Sequence, residues 1–206
     1  MKIVSLPVSL SKKNVDIFIE EIKKEDIDFI ALQNISKDVY SELMREIMKL
    51  GFSFKKTLNI SNEILYKNRE CIQYRERDIH NSSLKEYTFE DFIIGTISLN
   101  DNIIIKRKQI IYLQNIYSND QKVILCLDSN IKSFENVETT FIDIYEEIGF
   151  DEYTINHKTN AIVEDKRLDR NSRIYIKCFE PKDYKLLLKN IFPPINIDYG
   201  IFVEIE

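Results

Sequence analysis

The feature of this sequence that most constrains its fold is a set of four short apolar segments, each with polar residues at its end. They lie at residues 2–9, 27–35, 123–131 and 196–205. A continuous apolar run that stops at a polar residue is typical of a buried strand that delivers this residue to the edge of a sheet. We therefore predict that the four segments are neighbouring buried strands and that their polar ends meet at one site.

Helices and further strands are predicted between these segments. Apolar residues spaced three or four apart predict helices over residues 14–24 and 36–51, and the stretch 102–117 is also predicted as a helix. Further strands are predicted in the middle, including residues 53–60, and in the last quarter; a helix is predicted around FIDIYEEIG, ending at Gly149. Alternation of this kind is typical of layered α/β proteins. We predict two mixed sheets packed face to face, with helices on the outer faces.

The composition is that of an ordinary globular protein, with 44% hydrophobic and 31% charged residues among 206. Only 4 Gly and 4 Pro leave no room for a flexible linker, so we predict a single domain over residues 1–206. Three widely spaced cysteines without a CxxC pair argue against a zinc site. The formal net charge of −5 argues against broad, non-specific binding to nucleic acid.

The sequence also bears on the cellular compartment. No apolar stretch approaches the roughly 20 residues that a membrane span needs, and no signal peptide precedes the first predicted strand. We therefore predict an intracellular protein, cytoplasmic or nuclear, without a membrane partner.

Eight fragments in a fixed order support a more specific interpretation. They read KIVS, IDFIALQ, NEILYK, KRKQIIYL, VILCLDSN, FIDIYEEIGFDEYT, RNSRIYIK and DYGIFVEIE. In this order and spacing they resemble the endonuclease/exonuclease/phosphatase superfamily and, within it, the enzymes that remove tyrosyl adducts from DNA ends. The resemblance implies a four-layer α/β sandwich. It also implies hydrolysis of phosphate esters with a divalent metal, usually magnesium, which stabilises charge on the phosphoryl group.

The resemblance also implies where catalytic residues would lie, and several of these positions hold other residue types. Pro7 stands where the family has Asn, Asn34 where it has the metal-binding Glu, and Ser98 where it has His. The Asp and Asn that follow the next strand are kept as Asp128 and Asn130.

The closing motif has changed as well, since Ile197 and Asp198 stand where the family has Asp and His. Ser172 stands where an orienting Asp is common. An amide at the Glu position brings no charge to a metal, and loss of one positioned acid or base lowers a rate by about 10²–10⁴. The resemblance therefore implies a degenerate site, and we expect no catalytic residue and no metal cofactor.

Other interpretations of the same residues stay open at this point. An active enzyme with a rebuilt magnesium site would use Asp128 and Asp198, with Asp169 as a further ligand. If the degenerate site keeps any metal ligand, it is Asp128. The Asp-Ser-Asn sequence at residues 128–130 also fits an ordinary turn, and the resemblance could be coincidental in an unrelated α/β protein.

Any phosphate contacts would come from Asn130, Arg170 and Arg173. Among the possible functions, we favour a catalytically inactive homologue that is retained for a binding or structural role. The low net charge favours a protein partner or self-association over nucleic acid.

Overall fold

The computed structural model describes residues 1–55, 59–129, 139–148, 155–156, 168–169, 172–187 and 200–206. Strands and helices alternate in its first third, and four strands then follow one another before the next helix. The strands are β1 (Lys2–Pro7), β2 (Phe29–Gln33), β3 (Glu63–Tyr66), β4 (Gln73–Ile79), β5 (Ser82–Thr88), β6 (Ile93–Ser98), β7 (Val123–Asp128), β8 (Ile142–Asp143), β9 (Ile155–Asn156), β10 (Leu168–Asp169), β11 (Ser172–Lys177), β12 (Pro181–Leu187) and β13 (Gly200–Ile205). The helices are α1 (Val15–Lys23), α2 (Lys37–Lys49), α3 (Ile103–Ile116) and α4 (Ile144–Glu147).

Most of these strands belong to two mixed sheets. Within the described residues, the first sheet has five strands in the order β12-β13-β1-β2-β3, and the second has six in the order β4-β5-β6-β7-β11-β8. β1 is parallel to β2, and β6 is parallel to β7. The other neighbouring strands in both sheets pair in antiparallel fashion.

Three apolar clusters hold the layers together. Helices α1 and α2 cover the outer face of the first sheet through buried residues such as Phe18 and Leu43. A second cluster fills the space between the two sheets and includes Phe29 and Ile124. The third packs α3, through residues such as Leu113, onto the outer face of the second sheet. This helix–sheet–sheet–helix layering confirms the predicted α/β sandwich.

Helix α3 forms although it is rich in isoleucine, which lowers helix propensity. The Asn102 side chain caps its first turn by accepting hydrogen bonds from the backbone N–H groups of Ile104 at 2.9 Å and Ile105 at 3.4 Å. Burial of Ile110 and Leu113 against the sheet then stabilises the helix. In the part of the chain that the structure describes, no helix is long and apolar enough to cross a membrane.

The structure corrects three details of the sequence prediction. β13, β1 and β2 are neighbours, but β7 lies in the facing sheet, so the four apolar segments do not all pair with one another. The helix predicted up to Gly149 is represented by the four residues of α4, because Ile142–Asp143 pairs with β11 as a short edge strand instead. In the predicted strand at residues 53–60, Ser53 makes only an isolated bridge to Tyr66, and residues 56–58 lie outside the described residues.

Candidate functional site

The residues that end four of the strands lie at one end of the sandwich. Pro7 is the last residue of β1 and pairs with Gln33 at the end of the parallel strand β2, directly before Asn34. Ser98 and Asp128 end the parallel strands β6 and β7 and are opposite each other in the register. The carboxyl ends of parallel strands meet at one sheet edge, which explains why residues so distant in sequence converge here.

A hydrogen bond joins the two sheets at this edge. The Asn34 side-chain Nδ2 donates to Asp128 Oδ2, which links the end of β2 to the end of β7. Asn34 has a φ of +54°, in the left-handed region that Asn tolerates better than most residues. The turn at the end of β2 thus uses a conformation that suits the residue present there. Asn34 is exposed, whereas Asp128 is buried.

Asn62, which precedes β3, connects two of the predicted positions. Its Oδ1 accepts hydrogen bonds from the Asn34 backbone N–H at 3.2 Å and from Ser98 Oγ at 3.1 Å. Its Nδ2 donates to the Ser83 carbonyl oxygen at 3.3 Å, and the side chain is buried. Sequence reasoning missed Asn62; the only signal is a lone amide directly before an apolar strand.

The carboxyl group of Asp128 has an unusual electrostatic environment. Burial, reinforced by the negative charge of Asp101, raises its pKa to about 7, although Lys106 and the Asn34 hydrogen bond act in the opposite direction. Lys106 is itself fully buried on the inward side of α3. At neutral pH, the carboxyl of Asp128 is therefore divided between its protonated and ionised forms.

A polar contact lies beneath this edge, in the layer between the sheets. Gln33 Nε2 donates to Ser5 Oγ at 3.2 Å, to Thr96 Oγ1 at 3.0 Å and to the Cys126 carbonyl oxygen at 3.5 Å. Gln33 therefore ties β1 and β2 of the first sheet to β6 and β7 of the second. Buried side chains that are hydrogen-bonded in this way fix one alignment of the two sheets.

A second buried contact supports the segment that carries Asn62. Lys85 Nζ lies 3.0 Å from Glu63 Oε1, with neither side chain exposed, and also donates to the Asn59 carbonyl oxygen. The Tyr40 hydroxyl donates to the same carboxylate at 3.3 Å. Burial and the nearby Glu63 charge raise the pKa of Tyr40 to about 12, which keeps the phenol a neutral donor. In the sequence, Lys85 and Glu63 are single charged residues in two separate strands, and no pattern indicates that they pair.

Arg173, one of the possible phosphate contacts, is placed differently. Its neighbour Ser172 is opposite Asp128, whereas Arg173 is opposite Leu127, so its side chain emerges on the other face of the sheet. There the buried guanidinium pairs with Asp143, and its Nη1 lies 3.5 Å from Glu146 Oε1. This placement gives Arg173 a structural ion pair away from Asp128.

The remaining predicted site residues, Asn130, Arg170 and Asp198, lie outside the described residues. Asp169 is in β10, paired with Ile155 of β9. Within the described parts of the chain, no group of three or more His, Cys, Asp or Glu residues has the arrangement of a metal site. Among the described residues, Asn34 presents an amide N–H group to Asp128, and an N–H group cannot supply the oxygen ligand that Mg²⁺ requires.

No protein-family model matches the sequence, and no curated protein matches it. Solved structures match over the whole chain. D. rerio TDP2, in complex with a single-strand DNA product, has a TM-score of 0.85 at 17% identity, covering 100% of this chain and 98% of that one. The fold is that of the endonuclease/exonuclease/phosphatase superfamily.

Two bacterial structures agree with this result. A Bacteroides thetaiotaomicron member of the endonuclease/exonuclease/phosphatase family has a TM-score of 0.81 at 11% identity, covering 100% of this chain and 97% of that one. A mannosyl-6-phosphatase from the same organism has a TM-score of 0.78 at 11% identity, with coverages of 100% and 99%. The predicted superfamily fold, with its TDP2-like layering, is confirmed. A shared fold carries no activity by itself.

Proposed function

We propose that this chain is a catalytically inactive homologue of metal-dependent phosphodiesterases and that it serves a binding role with a protein partner. The observation that carries this proposal is the hydrogen bond from Asn34 Nδ2 to Asp128 Oδ2. An enzyme that follows the family pattern has a metal-binding carboxylate at the position of Asn34. Here an amide N–H group engages one oxygen of Asp128 instead.

The electrostatics of this edge argue against a bound magnesium ion. Mg²⁺ is usually held by carboxylates and phosphate oxygens. Asn34 brings no charge, and the pKa of about 7 leaves Asp128 incompletely ionised at neutral pH. A metal ion bound at Asp128 Oδ2 would also have to compete with the Asn34 amide N–H group for that oxygen. Each of these effects weakens metal binding.

The described positions Ser98 and Pro7 also lack the imidazole and the side-chain donor that the family pattern has there. Ser98 donates its hydroxyl to Asn62 at 3.1 Å and has no titration near neutral pH. Pro7 has no side-chain donor for a phosphate. Since a positioned acid or base contributes about 10²–10⁴ to a rate, these substitutions together support an inactive protein.

A second candidate is an active magnesium-dependent phosphodiesterase with a rebuilt site around Asp128 and Asp198. Two observations favour it. The solved structures with this fold include a TDP2 bound to a DNA product and a mannosyl-6-phosphatase. A carboxyl with a pKa of about 7 is also well suited to general acid–base catalysis near neutral pH.

Restoring the carboxylate tests the proposal directly. We expect wild-type protein to bind Mn²⁺ and Mg²⁺ weakly in calorimetric titrations, and Asn34→Glu to bind them more tightly. Asn68→Glu is the matched control, because Asn68 is also exposed, also has a φ of +54°, and lies beyond β3 at the other end of the sandwich. The control should leave metal binding unchanged.

Hydrolysis assays complete the test, with a phosphodiester, a tyrosyl–DNA adduct and a phosphomonoester as substrates. We expect no turnover by the wild-type protein with either metal. Turnover that disappears in Asp128→Ala would reject the inactive assignment and establish the rebuilt site.

A further inference from the structure

A cavity opens at the end of the sandwich opposite the contact between Asn34 and Asp128. It lies between the start of β2, the segment that follows β3 and the turn that joins β5 to β6, and its volume is about 690 Å³. Ligand-binding clefts in proteins typically have volumes of about 300–1,000 Å³. The residues that line this cavity differ from those of the candidate site, so the two regions can be tested separately.

Two buried phenylalanine rings form a corner beside this cavity. Phe29 and Phe92 directly follow the lining residues Asp28 and Asp91. The planes of the two rings meet at 84°, with 5.6 Å between their centroids. Phe89 also lines the cavity and stacks on Phe92, which helps to fix that ring in place. We call Phe29 and Phe92 the aromatic corner. Ring faces at nearly a right angle suit an organic cation, because each face carries negative potential.

The guanidinium group of Arg69 occupies the aromatic corner. Its Cζ atom lies over both rings, 5.8 Å from the Phe29 centroid and 5.4 Å from the Phe92 centroid. A carboxylate completes this environment, since Asp91 Oδ1 is 4.0 Å from Arg69 Nη1. The chain itself thus shows which chemical group fits the corner, namely a planar cation that stacks on aromatic faces and pairs with a carboxylate.

Arg69 is held loosely in this position. Its side chain is 40% exposed, and that of Asp91 is 61% exposed. The separation of 4.0 Å is longer than the roughly 2.7–2.9 Å of a charge-assisted hydrogen bond. Exposed ion pairs of this kind contribute little to stability. A guanidinium group from outside the chain can therefore take the place of Arg69, whose departure opens the ring faces to the cavity.

The charges around the cavity favour a cationic ligand. Two cationic side chains, those of Lys67 and Arg69, line it together with four carboxylates: Asp28, Glu70, Glu90 and Asp91. The Lys67 ammonium lies 4.2 Å from the ring centroid of Phe52, which belongs to the outer cluster of the first sheet. An anion would meet the excess of carboxylates, and like charges repel. Ile72, which is 65% exposed, adds an apolar wall for the methylene chain of a ligand.

We propose that this cavity binds a guanidinium group of a ligand in the aromatic corner, in exchange for Arg69 and beside the carboxylates of Asp91, Glu70 and Glu90. Two sources carry this group, a free arginine-derived molecule and an arginine side chain of another protein, and both present the same chemistry. Arg69 acts as an internal competitor, so it lowers the apparent affinity by the fraction of molecules in which it fills the corner. The proposal goes beyond the proposed function and does not depend on an inactive site.

NMR titrations of the full chain test the proposal. The probe is a tripeptide with blocked ends and a central arginine. The matched probe carries citrulline instead, which has the same shape without the charge. We expect the wild-type protein to bind the arginine peptide with a Kd on the order of 1 mM. Arg69→Ala should bind it about tenfold more tightly, because the competitor is gone. The citrulline peptide should bind to neither protein.

Two further variants separate competition from charge. Lys67→Met removes a positive charge from the same cavity but leaves Arg69 in the corner, so binding should tighten by no more than about twofold. Asp91→Asn, added to Arg69→Ala, should weaken binding about tenfold, because the carboxylate partner is lost. Asp26→Asn in the same background is the matched control, since Asp26 is exposed, lies two residues before Asp28 and does not line this cavity. It should leave the affinity unchanged.

Contacts between the ligand and the rings are the structural readout. In Arg69→Ala, the δ-methylene protons of the peptide arginine should show nuclear Overhauser effects to the ring protons of Phe29 and Phe92. Binding without these contacts would be a general attraction to carboxylates, and it would overturn the proposal. Equal binding of a lysine peptide, or equal affinities of the wild type and Arg69→Ala, would overturn it as well.

Arginine amide, titrated in parallel, distinguishes the two sources of the guanidinium group. Similar affinities for the amide and the tripeptide support a free small molecule, whereas binding of the tripeptide alone supports a side chain of another protein. Absence of binding by both rejects the proposal. Because Arg69 is partly exposed, thermal unfolding of Arg69→Ala should match that of the wild type. Hydrolysis of phosphodiesters by the wild type would remove the inactive assignment and leave this cavity unaffected, since it lies at the other end of the sandwich.

Discussion

The Asn34 side chain donates a hydrogen bond to Asp128 although 94 positions separate them in the sequence. The contact connects the ends of two strands that belong to different sheets, β2 and β7. Asp128 is buried, so its charge state is coupled to the stability of the folded protein. The carboxyl that Asn34 contacts should thus give the stability of the protein a measurable dependence on pH.

The first prediction concerns Asp128→Asn. The pKa of Asp128 in the folded protein, about 7, lies above its ordinary value of 3.8 because of burial and the charge of Asp101. The folded state therefore holds the proton more tightly than the unfolded state. The stabilisation is complete below about pH 4 and is lost as pH rises through about 7. The variant has no carboxyl at this position, so its stability does not fall in this way. Its free energy of unfolding should therefore rise relative to that of the wild type by about 2–3 kcal/mol between about pH 5 and about pH 8.

Urea unfolding of both proteins at several pH values measures this difference. Asp91→Asn serves as the control, because Asp91 is exposed and lies two residues before β6, at the opposite end of this strand from Ser98. If the free energies of unfolding of the wild type and of Asp128→Asn change in parallel over this pH range, Asp128 is not a buried, partly protonated carboxyl.

The second prediction concerns Gly95, in the middle of β6. A Cβ atom at this position would lie 2.9 Å from Leu125 Cδ2 and 3.2 Å from Leu84 Cδ1. Both leucines are fully buried, so neither can move without disturbing the packing under α3. Gly95→Ala should lower the free energy of unfolding by about 1–3 kcal/mol, measured by urea unfolding.

A second substitution separates crowding from a backbone effect. Leu125→Val removes volume next to the new methyl group, so the double variant should lose less than the sum of the two single losses. Strictly additive losses would show that the Leu125 contact is not the cause.

Gly51→Ala offers a contrast. Gly51 has a φ of +86° and nothing within 4 Å of an added Cβ, so any loss of unfolding free energy there comes from the backbone alone.

The third prediction compares two helix N-termini. Asn102 caps α3 with side-chain hydrogen bonds to two backbone N–H groups, whereas the Ser36 side chain makes no such bond at the start of α2. Asn102→Ala should therefore lower the free energy of unfolding by about 1 kcal/mol, and Ser36→Ala by less. Equal losses in thermal or urea unfolding would show that the cap at α3 contributes nothing specific.

The layered fold was predictable because its signal is repeated along whole elements. β1, β2 and β7 are each buried along most or all of their length, and such runs are recognisable without knowledge of their partners. The assignment of β7 to the facing sheet was not predictable, since an apolar run does not say which sheet it joins. The short edge strand β8 was missed because two residues carry no periodicity.

The site was predictable only where a residue ends a strong strand. Asn34 comes directly after β2, and Asp128 is the last residue of β7, so both could be predicted from the strand ends. The face that Arg173 occupies depends on its register with Leu127, which the sequence alone does not contain. Asn62 is a single amide whose importance lies in its contacts with Asn34 and Ser98. Such residues carry no pattern and become visible only in three dimensions.

The last prediction concerns the buried pair of Lys85 and Glu63. Their Nζ and Oε1 atoms are 3.0 Å apart, and neither side chain is exposed to solvent. Lys85→Met leaves the Glu63 carboxylate buried without its cation, so this variant should lose about 3–5 kcal/mol of unfolding free energy. In the double variant Lys85→Met/Glu63→Leu no charge is buried, and most of this loss should be recovered.

Urea unfolding of the wild type, both single variants and the double variant gives the coupling between the two residues. Lys23→Met on α1 is the control, because Lys23 and Glu20 form an exposed pair that should contribute less than about 1 kcal/mol. If the double variant is as unstable as Lys85→Met, the loss does not come from an unpaired charge. It would then reflect the hydrogen bonds from Lys85 to the Asn59 carbonyl oxygen and from Tyr40 to Glu63, which hold the segment before β3 and, through it, Asn62.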